Sequence, residues 1–83
     1  MRPEDAHALL ARLVRRIAPE VDPADLVPDA LLQESFDLDS MDFLNLVTAL
    51  HDEVGVDVPE RDYPRLATVG GFVDYVVEAT GDR

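Results

Sequence analysis

The apolar residues of this chain recur in three stretches at three- and four-residue steps, and the one stretch that alternates has nothing to pair with. Ala6, Leu9, Leu10, Leu13, Val14 and Ile17 form one stripe between Pro3 and about Ala18. After Ser40 the sequence Met41, Leu44, Val47, Leu50 and Val54 repeats the spacing, with Phe43 and Leu46 as a second apolar edge. After Thr68 the inward set is Val69, Phe72, Val73, Val76 and Val77. Val54, Val56 and Val58 alternate with Gly55 and Asp57, which by period alone suggests a strand. No second strand candidate exists. The expected fold is therefore all-α, a small bundle of three main helices and one short one.

Size and cysteine content limit how such a bundle is held. The chain has 83 residues and no cysteine, so it reads as one domain over 1–83 without a disulfide framework or thiolate metal site. A chain this small buries roughly 60% of its unfolded surface, and helix packing must suffice. Its apolar runs are far short of the ~20 residues needed to cross a bilayer, and the N-terminus lacks a signal-peptide core, which gives a cytoplasmic expectation.

Prolines and caps set the boundaries. Pro3 stands near the start of the first helix and Pro19 beyond its end, with Glu4 and Asp5 in the first turn and Arg12, Arg15 and Arg16 toward the last, as the helix dipole favours. The arginine cluster reads as a solvated helix end, although it also has the chemistry to grip a phosphate or a partner. Pro19, Pro23 and Pro28 exclude a long helix between Pro19 and Asp39 but allow short turns, one capped by Asp22 and another by Asp29. Val21, Leu26, Leu31, Leu32, Phe36 and Leu38 give that connection enough apolar side chains to lie on a core. The second helix should run from Ser40 to Val54 and stop at Gly55. Pro59 to Arg65 has room only for a short or irregular helix because of Pro64. Thr68 caps the last helix, which should end near Gly81, and Gly70 and Gly71 are poor helix formers that either permit a close backbone approach or simply weaken the first turn.

Ser40 stands where a loop ends and a helix begins, between Asp39 and Met41. Either Asp39 or Ser40 can be the N-cap, and in both cases the hydroxyl lies beside unpaired N–H groups that favour an attached anion. As a nucleophile Ser40 has little support: the glycines of a nucleophile elbow are missing, and His51 lies eleven residues further along the same helix, about 16 Å away. Asp37, Asp39 and Asp42 do not make a calcium loop, since the sixth position from Asp37 is Asp42 and the twelfth is Thr48. No catalytic residue and no specific metal site are expected.

Asp39-Ser40-Met41-Asp42, the apolar helix and the Gly55-Val56-Asp57-Val58-Pro59 exit resemble the phosphopantetheine attachment region of acyl carrier proteins. The likeness continues through Leu66-Ala67-Thr68-Val69-Gly70-Gly71-Phe72-Val73-Asp74-Tyr75-Val76. It implies that Ser40, flanked by Asp39 and Met41, accepts 4'-phosphopantetheine from coenzyme A through a phosphopantetheinyl transferase. It also implies that the chain carries acyl thioesters for fatty-acid, polyketide or related biosynthesis. The helix face bearing Asn45, Thr48, His51 and Asp52 would then meet partner enzymes. Family members often have glutamate where Asn45 and His51 stand, which suits particular partners. They often have glycine where Asp37 stands, and aspartate tolerates the same left-handed backbone.

The net charge is -11, from 18 acidic residues against seven arginines and no lysine. Thirteen of the acids and a single basic residue, Arg61, lie between Glu20 and Asp62, so the charge is concentrated around Ser40. That argues against nucleic acid and anionic membranes and for partners with basic docking surfaces, met by a monomer. Asp37, Asp39, Asp42 and Asp52 are the expected electrostatic contacts, with Phe43 and Leu46 as apolar contacts between them. Met41, Phe43, Leu46, Val58 and Leu66 are the expected shelter for cargo. An aminoacyl or peptidyl carrier, and an unmodified acidic adaptor, are the alternative readings.

Overall fold

The computed structural model of the protein describes residues 1–81. Helix α1 spans Pro3–Ile17, with Pro3 in the first turn, where its missing N–H costs no hydrogen bond. A single 3₁₀ turn, Pro23–Asp25, is capped by Asp22, whose Oδ1 accepts from the Ala24 N–H at 2.9 Å. Helix α2 is one turn, Leu32–Ser35, and helix α3 spans Ser40–Val54. A 3₁₀ segment, Glu60–Leu66, contains Pro64, and helix α4 spans Val69–Ala79. The Thr68 hydroxyl accepts from the Gly71 N–H at 2.9 Å and so starts α4. Gly55 ends α3 in the left-handed region at φ 72°, donating its N–H to the His51 carbonyl.

Helix α1 packs on α4 and α3, and α4 packs in turn on Glu60–Leu66. The core between them includes Leu10, Leu13, Leu46, Leu50, Leu66 and Phe72, all without appreciable exposure. The long connection lies on this core through Val21, Leu26, Leu32, Phe36 and Leu38, while Leu31 is turned outward. His7 Nε2 donates to the Leu26 carbonyl at 2.8 Å and ties the connection to α1. Val54 to Val58 forms no ladder, and among the described residues the one β-type contact is the isolated Leu31–Thr68 bridge. No helix among them is long and apolar enough to cross a membrane.

Two sequence expectations change. Asp29 does not cap the turn before α3; Leu31 occupies that position, because the flanking backbone is committed to α4 through Leu32 N–H to the Ala67 carbonyl and Val69 N–H to the Ala30 carbonyl. More consequentially, the buried face of α3 is Phe43, Leu46 and Leu50, while Met41 and Leu44 are 67% and 44% exposed. The reason is angular. Three-residue steps drift by about 60° each, so Met41 and Leu50 stand on opposite sides of the helix, whereas Phe43 and Leu50 differ by only about 20°.

Helix α4 holds the Glu60–Leu66 segment tightly. A Cβ added at Gly71 would overlap the Arg65 carbonyl oxygen and press on Thr68 Oγ1 at 3.1 Å; one at Gly70 would meet only the Pro28 carbonyl oxygen, at 3.2 Å. Tyr75 Oη donates to Asp62 Oδ2 at 2.8 Å, the Arg65 guanidinium lies 4.8 Å from the Tyr75 ring centre, and Arg65 pairs with Glu78 at 3.0 Å. On the opposite side Arg12 and Arg16 converge on Glu53, joining α1 to α3. The hydrogen bond from Arg12 holds the Glu53 carboxyl below its ordinary value.

Gly71→Ala should cost roughly 1–3 kcal/mol, since the overlap is with backbone and outweighs a helix-propensity gain of about 1 kcal/mol. That corresponds to a fall in Tm of more than about 4 °C by thermal melting. Gly70→Ala should stay within about 2 °C of wild type, the small adjustment offsetting the propensity gain. A larger loss for Gly70→Ala would contradict the packing described.

Burial first, and then the hydrogen bond to Asp62, raises the Tyr75 phenol above its ordinary value. A folded pKa above the unfolded one means that the stability tied to the protonated phenol is complete below about pH 10 and is lost as pH rises through the folded value. The stability advantage of wild type over Tyr75→Phe, about 1 kcal/mol near neutrality, should hold up to about pH 10 and shrink as the pH rises further in urea titrations. A constant difference would sever the link to this proton.

Candidate functional site

Ser40 is the first residue of α3 and is exposed. Its position is fixed by the residues on either side of it. Asp39 Oδ1 accepts from the Asp42 N–H at 2.8 Å, and Asp42 Oδ2 accepts from the Asp39 N–H at 3.3 Å, a reciprocal capping box. Asp37 turns the preceding chain through the left-handed region at φ 55°, the one non-glycine residue with positive φ among those described. Asp39, not Ser40, is therefore the cap, which leaves the Ser40 hydroxyl unspent. The N–H groups of Ser40 and Met41 make no hydrogen bond among the described residues. An anion joined to Ser40 Oγ would meet those two donors and the positive end of a 15-residue helix.

Beside Ser40 lies a cleft of about 340 Å³ whose walls are Phe43, Leu44, Tyr63, Pro64 and Ala67, with Gln33 at its edge. It runs between α3 and the Glu60–Leu66 segment. Of the shelter expected from sequence, Phe43 alone lines this cleft. Leu46 and Leu66 are sealed in the core, Val58 is half-buried elsewhere, and Met41 projects outward. Leu44, Tyr63, Pro64 and Ala67 take their place. The signal for Leu44 was its one-turn offset from Ser40 along the helix; nothing local marked Tyr63, Pro64 or Ala67, which reach the cleft through the return of the chain.

The expected contact residues divide by exposure. Asn45, Thr48, His51 and Asp52 are all exposed on α3. His51 lies between two carboxylates, with Nε2 3.3 Å from Asp57 and Nδ1 3.8 Å from Asp52. Asp37 and Asp39 are exposed and Asp42 half-exposed. Phe43 and Leu46 cannot be surface contacts, because they are 8% and 0% exposed and belong to the core face. Met41 and Leu44 are the apolar side chains that the acidic surface presents instead. Arg2, Arg12, Arg16 and Arg65 each pair with a glutamate, so they contribute little free positive charge.

The residues fit a covalently attached phosphodiester: an unspent hydroxyl, two free N–H donors and an adjoining apolar cleft. The sequence is similar to those of known proteins. A family model described as a phosphopantetheine attachment site matches residues 8–76. An acyl carrier protein of Thermosynechococcus vestitus is 38% identical over 56 residues, 68% of this chain and 69% of that protein. One from Rubrobacter xylanophilus is 34% identical over 58 residues, 70% of this chain and 72% of its own. One from Acidothermus cellulolyticus is 31% identical over 71 residues, 86% of this chain and 83% of its own. With a helical bundle that presents a serine at a capped helix start and a family match across most of its length, the chain belongs to the acyl carrier protein family, whose covalently attached cofactor is 4'-phosphopantetheine.

Proposed function

We propose that this protein carries acyl groups as thioesters on a phosphopantetheine arm at Ser40 and presents them to enzymes of fatty-acid, polyketide or related biosynthesis. The observation that carries this reading is the exposed Ser40 hydroxyl, left free by the Asp39–Asp42 cap at the mouth of an apolar cleft. In the modification the Ser40 Oγ–P bond forms, the P–O bond within the pyrophosphate of coenzyme A breaks, and the nucleotide leaves. The hydroxyl proton must pass to the transferase. Neither histidine is placed to take it, since His51 lies about 16 Å along the helix and His7 Nε2 is engaged by the Leu26 carbonyl. Once attached, the arm supplies the thiol that the chain itself lacks. The protein is thus a substrate and presenter, and its own residues orient, neutralise and shelter.

Recognition follows from charge and exposure. The acids around Ser40 would draw partners with Arg- and Lys-rich surfaces, and Met41 and Leu44 would supply the apolar contact between them. The pathway is a matter of which partners fit that face of α3.

Treatment of apo protein with coenzyme A and a broad-specificity phosphopantetheinyl transferase should add the mass of one phosphopantetheine to the intact protein. A thiol reagent should then titrate one group, and none before treatment or in Ser40→Ala. Undiminished modification of Ser40→Ala would end the assignment.

Docking can be separated from solubility by kinetics. Asp42 is half of the cap and Glu78 pairs with Arg65, so charge changes there would disturb structure as well. Asn45→Lys and Asp74→Asn each change the net charge by a single unit at exposed positions, near to and far from the site. Asn45→Lys should slow Ser40 modification at low salt by roughly threefold or more, with a shallower salt dependence, while Asp74→Asn should match wild type. Equal behaviour of the two would leave the acids a purely solubilising role.

A further inference from the structure

Two aromatic rings line the cleft beside Ser40. Phe43 of α3 and Tyr63 of the Glu60–Leu66 segment meet edge to face, with centroids 5.4 Å apart and planes inclined by 75°. In the core that α3 and this segment close over, Leu46, Leu50 and Leu66 are completely buried. The space between α3 and the segment is thus closed by side chains and does not continue inward as a tunnel. What stays open, about 340 Å³, lies at the small end of the roughly 300–1,000 Å³ usual for ligand pockets.

Tyr63 is also held in place from both sides. On one side Asp62 accepts the Tyr75 hydroxyl at 2.8 Å; on the other, Arg65 is paired with Glu78 at 3.0 Å and lies over the Tyr75 ring. Pro64 fixes its own φ between them. Gly71 brings α4 against the Arg65 carbonyl so closely that a methyl group has no room. These contacts hold the backbone from which Tyr63 projects against α4, and the ring itself rests on Phe43.

We propose that the Phe43–Tyr63 pair sets the size limit of the cargo this carrier shelters. Short acyl groups lie in the open cleft against Leu44, Pro64 and Ala67, and longer chains run past it into solvent instead of entering the core. The proposal rests on Ser40 as the attachment point and deepens that reading by naming the cargo class.

The experiment loads apo protein with acetyl-, butyryl-, hexanoyl- and octanoyl-coenzyme A through a broad-specificity transferase, confirms each product by intact mass, and measures its Tm. In wild type the Tm should rise to the butyryl form and then level off through octanoyl. In Tyr63→Ala it should go on rising, the octanoyl form exceeding the butyryl form by at least about 4 °C. NMR should place the octanoyl methyl against Leu46 or Leu66 in the variant and not in wild type. Should Tyr63→Ala fail to fold, Phe43→Leu carries the same comparison. A wild-type Tm that climbs steadily through octanoyl, or a variant whose length profile matches wild type, would overturn the size limit alone. Failure of any acyl group to load on Ser40 would overturn the attachment reading and this one with it.

Discussion

Two aspartates exchanging hydrogen bonds at the start of α3 set everything that follows. Asp39 and Asp42 each satisfy the other's backbone N–H, and a serine caught between them is left with no structural duty. Were Ser40 the cap, its oxygen would point back into the first turn and be unavailable to a second protein. The left-handed turn at Asp37 then delivers the chain so that Phe36 and Leu38 point into the core while Asp37 and Asp39 remain outside. Reactivity, charge and cleft all meet at one helix end for this reason.

The same end shows how far the sequence could be read. The bounds of α3, the left-handed stop at Gly55, the Thr68 cap and the irregular Glu60–Leu66 segment were legible because each depends on local chemistry: a cap, a glycine, a proline. The left-handed turn at Asp37 was legible only through the family resemblance, which often has glycine at that position. The inward face of α3 was not. Counting apolar residues at three-residue steps joins Met41 to Leu50, although they stand on opposite sides of the helix; angle, not count, selects Phe43, Leu46 and Leu50. The cleft was legible only in part, since Phe43 and Leu44 are near Ser40 in sequence but Tyr63, Pro64 and Ala67 arrive through tertiary packing that no short-range pattern encodes.

Charge is arranged by pairing as much as by composition. Glu53 takes both Arg12 and Arg16, Glu78 takes Arg65, and Glu4 takes Arg2. These exposed pairs add little stability, since solvent screens them. Their effect is on the field: the arginines are neutralised where they stand, and the acids from Glu20 to Asp62 are left almost unopposed. The negative field is therefore strongest on that side of the molecule. Of the three arginines on α1, Arg12 and Arg16 are engaged in this way by Glu53.

A carrier has to shelter its cargo and also surrender it, and these demands oppose each other in the packing. A deep tunnel through the core would protect a long chain, but withdrawing it would leave apolar cavity surface, at about 24 cal/mol per Å³ in a core that relaxes only partly. An 81-residue described fold with a single shared core has little stability to spare for such a cavity. A shallow cleft avoids the conflict. Its walls, Leu44, Pro64 and Ala67, are already exposed to water without cargo, and Phe43 and Tyr63 meet edge to face beside it. The Glu60–Leu66 segment, packed against α4 through Tyr75, Glu78 and Gly71, would on the proposed size limit leave that surface the same for different loads.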